Sequence, residues 1–338
     1  MIDSFIAPWQ TGHPIKAKLQ SLGVTELGFA AITHPHADHY EGMWEIFSTF
    51  RVKKFLTFPI DAFVTDKKRL SKLSHLYKKI YEETDSEKTK KSIEEFLKVL
   101  VFAKENIGPQ NWEEPVGFES RVLPEGFTEG IDLFALLPMR SQKGAFFSAL
   151  DSGKVEIVES SDLNNLSLAF LLKYKGHEIL LGGDGTISNW IEHKRKRQPQ
   201  PLAADIVKLP HHGSKKDCTD ENLDYMFRST GERIAIISAD GKSHPSSETL
   251  KLLDEKNIKP YCTNLASQCG EKVHELRAFP EFLPVLNRFI TMSAEPTGHA
   301  VQPCQGEIII EINDDGLLSV DTEHKAFCPY RNADLFAA

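Results

Sequence analysis

His34-Pro35-His36-Ala37-Asp38-His39 gathers three imidazoles and one carboxylate into six residues. The apolar run Leu27-Gly28-Phe29-Ala30-Ala31-Ile32 precedes it; Gly42 and a helical pattern follow. A buried strand that ends in such a turn aims its polar side chains at one point in space. Neutral imidazole nitrogens with one carboxylate are the donors that a borderline divalent cation such as zinc or manganese takes. His34, His36, Asp38 and His39 are therefore candidate metal ligands. The competing reading is a His-rich surface turn. The His-x-His-x-Asp-His spacing and three polar clusters downstream argue against it.

The second cluster is Leu180-Leu181-Gly182-Gly183-Asp184-Gly185, a buried strand ending in glycines that let the backbone turn tightly around one carboxylate. Each oxygen of Asp184 can serve one cation, so after the first cluster it is the expected bridging ligand. Lys208-Leu209-Pro210-His211-His212-Gly213-Ser214 again closes a strand. Adjacent histidines point in different directions, so one can bind metal while the other orients a substrate oxygen or fixes the loop. Residue type leaves that choice open. His211 is favoured as the ligand and His212 as a catalytic residue. The fourth cluster runs from Ser238 through His244-Pro245 to Glu248, with Ser246 or Ser247 available to cap the next helix. His244 is a candidate general acid for a leaving group or a donor to a phosphate oxygen. His13, His75, His177, His193, His274, His299 and His324 lack such settings and read as surface or structural residues.

Composition narrows the class. The chain has 338 residues and 41% apolar content, enough for a substantial core. No run approaches the roughly eighteen apolar residues that a membrane span needs, and Met1-Ile2-Asp3-Ser4 does not open a secretory leader. The five cysteines (Cys218, Cys262, Cys269, Cys304, Cys328) are scattered, which predicts reduced thiols in a cytoplasmic protein. The net charge of −8 argues against a protein that simply coats nucleic acid. Two basic stretches, Lys67 to Lys79 and His193-Lys194-Arg195-Lys196-Arg197, are nevertheless suited to guiding a phosphate backbone.

Periodicity predicts a short helix over 16–22 and strands over 27–33 and 55–58, with a helix over 41–50 between the strands. Two amphipathic helices, 61–82 and about 87–104, make a helical insertion spanning 61–105. Ile93, Phe96, Leu97, Leu100 and Val101 form the apolar face of the second. Residues 106–130 read as loop, and 131–137 as a strand closed by Pro138. Two runs, 166–174 and 177–181, make a hairpin through Lys175-Gly176. Helices over 186–197, 219–229 and 246–256 alternate with strands over 204–209, 233–238 and 259–262. A last hairpin turns at Asp314-Asp315-Gly316 within a C-terminal extension, 265–338.

With these clusters placed, the chain resembles the metallo-β-lactamase fold superfamily over most of residues 1–265. It is most similar to the branch that includes the soluble hydrolase domain of the competence DNA-uptake channel protein. The residues that carry the likeness are Asn165-Leu166-Ser167-Leu168, Gly183-Asp184, His211-His212-Gly213-Ser214 and His244-Pro245 with Glu248. The resemblance implies an α/β fold, an αββα sandwich in a single domain over 1–338, with a metal site along one edge. It implies two divalent cations, zinc or manganese with magnesium as a competitor. One would be held by His34, His36 and Asp184, the other by Asp38, His39, Asp184 and His211. Two departures stand out. A histidine that many members place between the first cluster and the bridging Asp is missing, and Asn165 stands there instead. The superfamily's opening strands, expected upstream of Ile2-Asp3-Ser4, are also missing.

The preferred expectation is metal-dependent phosphodiester hydrolysis with nucleic acid as substrate. Two cations about 4 Å apart would activate a water and neutralise charge at phosphorus. Asp38 would also orient that water, and His244 would assist the leaving oxygen. The alternatives are a hydrolase of a small ester, lactone, lactam or thioester, or an effector subunit whose weak metal site is gated by a protein partner.

Overall fold

A computed structural model describes residues 1–6, 12–60, 81, 86–123, 130–152, 163–198, 200–240, 243–264, 269, 306–323, 328 and 330. Apart from residue 81, the expected helix over 61–82 with its basic run lies outside the described residues, as does most of the extension 265–338. The chain divides into two compact units: Met1–Ser120 with Ala135–Ala169, and Arg121–Phe134 with Phe170–Ala338. The architecture is mixed α/β. Among the described residues no helix is long and apolar enough to cross a membrane.

The first unit opens with helix α1 (Pro14–Ser21). It starts two residues earlier than expected because proline suits a first helical turn and His13 caps it, Nδ1 accepting from Lys16 N at 3.3 Å. Strands β1 (Glu26–Leu27), β2 (Ala30–Ile32), β3 (Arg51–Val52) and β4 (Phe55–Thr57) follow, separated by helices α2 (Ala37–Tyr40) and α3 (Met43–Thr49). β1 pairs with β3, and β2 with β4, both in parallel. Ile2 forms a parallel bridge to Ala31, and β5 (Trp112–Glu113) continues the sheet beyond β4. β2 and β4 are buried along their whole length, and Phe47 of α3 meets Phe55 edge-on at 5.1 Å.

Helix α4 (Glu87–Phe102) packs on this layer. Its buried stripe is Ile93, Phe96 and Val99, while Leu97 and Val101 are exposed. The apolar residues of α4 thus wrap around two faces, and only one meets the core. Glu95, from the same helix, caps α3: its Oε1 accepts from Gly42 N at 2.6 Å and from Trp44 N at 3.4 Å. Helix α5 (Arg140–Asp151) was not foreseen: Gly144 interrupts it and its apolar periodicity is weak.

The second unit is built on a seven-stranded mixed sheet. In chain order its strands are β6 (Ser120–Arg121), β7 (Ile131–Leu137), β8 (Ala169–Tyr174), β9 (His177–Leu181), β10 (Ile206–Lys208), β11 (Ile234–Ile237) and β12 (Lys259–Cys262). The spatial order follows the chain, from β6 at one edge to β12 at the other. β8 and β9 form the expected antiparallel hairpin, Tyr174 facing His177, and β9 through β12 run parallel. The crossovers are α6 (Ile187–Arg197), α7 (Asp220–Met226) and α8 (Ser247–Glu255). They start at Thr186, Thr219 and Ser246, the residue type that caps a helix N-terminus. The last hairpin, β13 (Ile308–Ile312) with β14 (Leu318–Thr322), meets the β8–β9 turn: Lys175 Nζ donates to Asp314 at 2.7 Å.

In an open sheet with parallel strands, polar groups that follow the strands' carboxyl ends share one rim. Asp184 follows β9, His211 and His212 follow β10, and His244 follows β11. His193 belongs elsewhere: it is fully buried, so the basic knot of α6 is Lys194 to Arg197 only.

Candidate functional site

The first cluster grows from the end of β2. Thr33 donates from its backbone nitrogen to Asp3 Oδ1 at 2.8 Å and from its hydroxyl to Asp3 Oδ2 at 2.9 Å. His39 Nδ1 donates to the same Oδ2 at 2.8 Å. One carboxylate therefore fixes both ends of the turn. His34 Nδ1 lies 3.1 Å from the Thr33 hydroxyl, which leaves Nε2 as the forward atom. That Nε2 is 2.9 Å from Nδ1 of His36. The two nitrogens share a proton here, and a cation in the proton's place would take a lone pair from each. The His34 and His39 rings are buried, with centroids 4.0 Å apart. Asp38 is exposed, its Oδ2 3.5 Å from His39 Nε2. The turn closes at Gly42, whose φ of +88° and missing Cβ leave room for His13 Nε2 2.7 Å from where that carbon would stand.

The second cluster belongs to the other unit. Gly182 crosses β10 so closely that a Cβ would lie 2.9 Å from both Lys208 O and Pro210 N. Asp184, at the end of this turn, is 2% exposed. His211 and His212 both adopt left-handed backbone, with φ of 47° and 55°. For non-glycine residues this costs on the order of 1–2 kcal/mol each, and such strain concentrates at functional sites. It turns the two rings apart. His211 Nδ1 donates to Asp217 Oδ2 at 2.7 Å, whereas His212 Nδ1 donates to the Ser238 carbonyl at 3.0 Å. His212 Nε2 reaches to 3.7 Å from Asp184 Oδ2. His244 stands beside the pair, 5.7 Å from His211 and 6.3 Å from His212 between ring centroids. Burial lowers its pKa, Asp240 opposes this, and the neighbouring histidines add to it. Its Nδ1 is buried and has no hydrogen-bond partner among the described residues.

Each unit thus gathers its own set of the expected residues: His34, His36, Asp38 and His39 in one, Asp184, His211, His212 and His244 in the other. The close pairs within the sets, His34 with His36, Asp38 with His39 and Asp184 with His212, are made of imidazole nitrogens and carboxylate oxygens, the donor types that suit a divalent cation. Sequence reasoning missed the residues behind the rings. Asp3 and Asp217 carry no local signal, and the Ser238 contact is made by backbone. Asn165, in the segment compared with the superfamily's hairpin start, is half-buried, and Leu168 N donates to Thr33 O at 2.9 Å. Comparison of the chain with protein-family models and with curated proteins gave no match.

Proposed function

We propose that this protein is a metal-dependent phosphodiesterase acting on nucleic acid, with the αββα arrangement of the metallo-β-lactamase fold. The observation that carries the reading is the way the imidazoles are held. His39, His211 and His212 are each tethered at Nδ1, so each presents Nε2. Metal-binding histidines are oriented in this way by carboxylates and carbonyls behind them.

In this reading His34, His36, Asp38 and His39 of the first unit and Asp184 and His212 of the second serve as ligands to divalent cations. His212 takes the place first favoured for His211, on the strength of its approach to Asp184. The cations, zinc or manganese with magnesium in competition, supply Lewis acidity and a more acidic water. Asp38 orients the attacking water from its exposed position. His244 donates to the leaving oxygen. Its buried Nδ1, close to His211, His212 and Asp184, favours a second role as a further ligand. Lys194 to Arg197, at the end of α6, offer positive charge to a phosphate backbone. The buried thiol of Cys218 and the scatter of the cysteines along the sequence support a reducing, cytoplasmic setting.

The test joins metal content to activity. Protein purified without chelator is analysed for bound metal, then assayed on plasmid, RNA and labelled oligonucleotides with zinc, manganese or magnesium. A His36→Ala, Asp38→Ala double variant is run alongside. The expected result is bound metal and cleavage that the double variant loses. Bound metal without cleavage of any nucleic acid refutes the reading and leaves the small-ester hydrolase or the partner-gated effector. His244→Ala should lower bound metal if His244 is a ligand and leave it unchanged if it acts only on the leaving oxygen.

A further inference from the structure

Helix α4 leaves part of its apolar surface outside the core. Leu97 and Val101, one turn apart, are 41% and 54% exposed and line a groove of about 420 Å³ on the first unit. Trp44 of α3 and Phe102 line it too, their rings edge-on at 5.7 Å. Apolar side chains scattered singly over a surface need no explanation, but a contiguous apolar groove with a charged rim marks a docking site. The charges on this rim are Glu94, Lys98 and Glu105. A π-helical turn, Ala103–Ile107, continues α4 and carries Glu105 onto the same groove. Glu94 accepts from the Tyr81 hydroxyl at 2.9 Å. Lys98 and Glu105 are exposed, and neither is ion-paired among the described residues.

Lys98 and Glu105 stand about 10 Å apart along the helix, with Val101 between them. A cation at one end of an apolar stretch and an anion at the other make a face that is its own complement. A two-fold axis beside Val101 exchanges the two ends, as in any isologous contact. We propose that this face binds a second copy of the chain, the two α4 helices running antiparallel. Lys98 of each copy then faces Glu105 of the other. Leu97 and Val101 of both copies close over the grooves between the two ion pairs. A wholly basic or wholly acidic partner helix would instead set one of the two rim charges against its like. A contact of a few helical turns is small, so the dimer is reversible and depends on concentration. None of the candidate metal ligands takes part in it.

Sedimentation equilibrium of the full chain tests the proposal. Wild type should move with rising concentration from the chain mass of 38.1 kDa toward twice that value. Lys98→Glu gives each copy two acidic positions on the rim, and Glu105→Lys gives each copy two basic ones. Each variant alone should therefore raise the dimer dissociation constant about tenfold or more, because like charges then meet at both ends. Mixed in equal amounts, the two variants should pair with one another about as tightly as wild type pairs with itself. The double variant Lys98→Glu, Glu105→Lys should form its own dimer again. Recovery on mixing also shows that both single variants are folded. A wild type that stays monomeric at every concentration overturns the proposal and leaves the groove to a different protein. A dimer that both single variants keep unchanged has its interface elsewhere, which overturns it as well. Variants that lose the dimer and do not regain it on mixing refute the antiparallel pairing of Lys98 with Glu105.

Discussion

Acid should destabilise the second unit through His193. The residue is fully buried on α6, its Nδ1 is 2.6 Å from the Tyr225 hydroxyl, and its ring meets Trp190 at 6.3 Å. Burial, with a smaller push from the Lys196 charge, brings its pKa down to about 4. An unfolded imidazole titrates near 6.5, so between these values the unfolded chain binds a proton that the native ring refuses. The neutral ring's contribution is therefore complete above pH 6.5 and is lost as the pH falls from 6.5 to about 4. The whole difference is about 3 kcal/mol, of which about 2 kcal/mol is lost by pH 5. The assay is urea unfolding at pH 7.5 and pH 5.0, followed by tryptophan fluorescence, on wild type and on His193→Gln. The wild type should lose about 2 kcal/mol more than the variant over that interval. Every other histidine titrates in both proteins and drops out of the difference. Tyr225→Phe keeps the buried ring and should keep the acid sensitivity. Equal losses in wild type and His193→Gln would refute the reasoning, since burial of this ring would then carry no protonation penalty.

Two further perturbations follow from the geometry of the clusters. Asp3→Ala removes the acceptor shared by Thr33 and His39 and should weaken metal binding by about 10- to 100-fold, read by competition with a fluorescent chelator; unchanged affinity would show that the turn holds its shape without Asp3. Gly182→Ala would press a methyl group against the Lys208 carbonyl and Pro210 nitrogen, and should cost about 1–3 kcal/mol in urea unfolding; a variant as stable as wild type would mean that β9 and β10 have slack at this crossing.

Much of the second unit was legible in the sequence because its signals are local. The β8–β9 turn, the helices over 186–197, 219–229 and 246–256 and their alternation with strands come within a few residues of what is observed, since capping residues and apolar runs mark both ends. α4 shows where such reading fails. Its apolar residues point in more than one direction, and periodicity alone assigned Leu97 and Val101 to a face that the core does not use. His193 was left open as surface or structural because of its four basic neighbours, and its position on α6 makes it structural by turning it toward Tyr225. α5 was missed because Gly144 and a weak apolar pattern hide a helix that packs through Phe146 and Phe147.

The candidate ligands were legible for a different reason than their orientation was. A His-x-His-x-Asp-His turn announces its chemistry through residue type, which is local. Which nitrogen each ring presents depends on what stands behind it, and those groups come from far along the chain: Asp3 behind His39, and Ser238 behind His212. The same holds between neighbours. His211 and His212 are indistinguishable by type and spacing, yet one gives its Nδ1 proton to a carboxylate and the other to a carbonyl. A carboxylate stabilises the doubly protonated ring far more than a neutral carbonyl does, because it opposes the full charge. Of the two adjacent rings, His211 is the one with a carboxylate behind it. His212 is held by a neutral carbonyl and directs Nε2 at Asp184. The difference between the two histidines lies in their backing groups, which their left-handed backbone lets them reach in different directions.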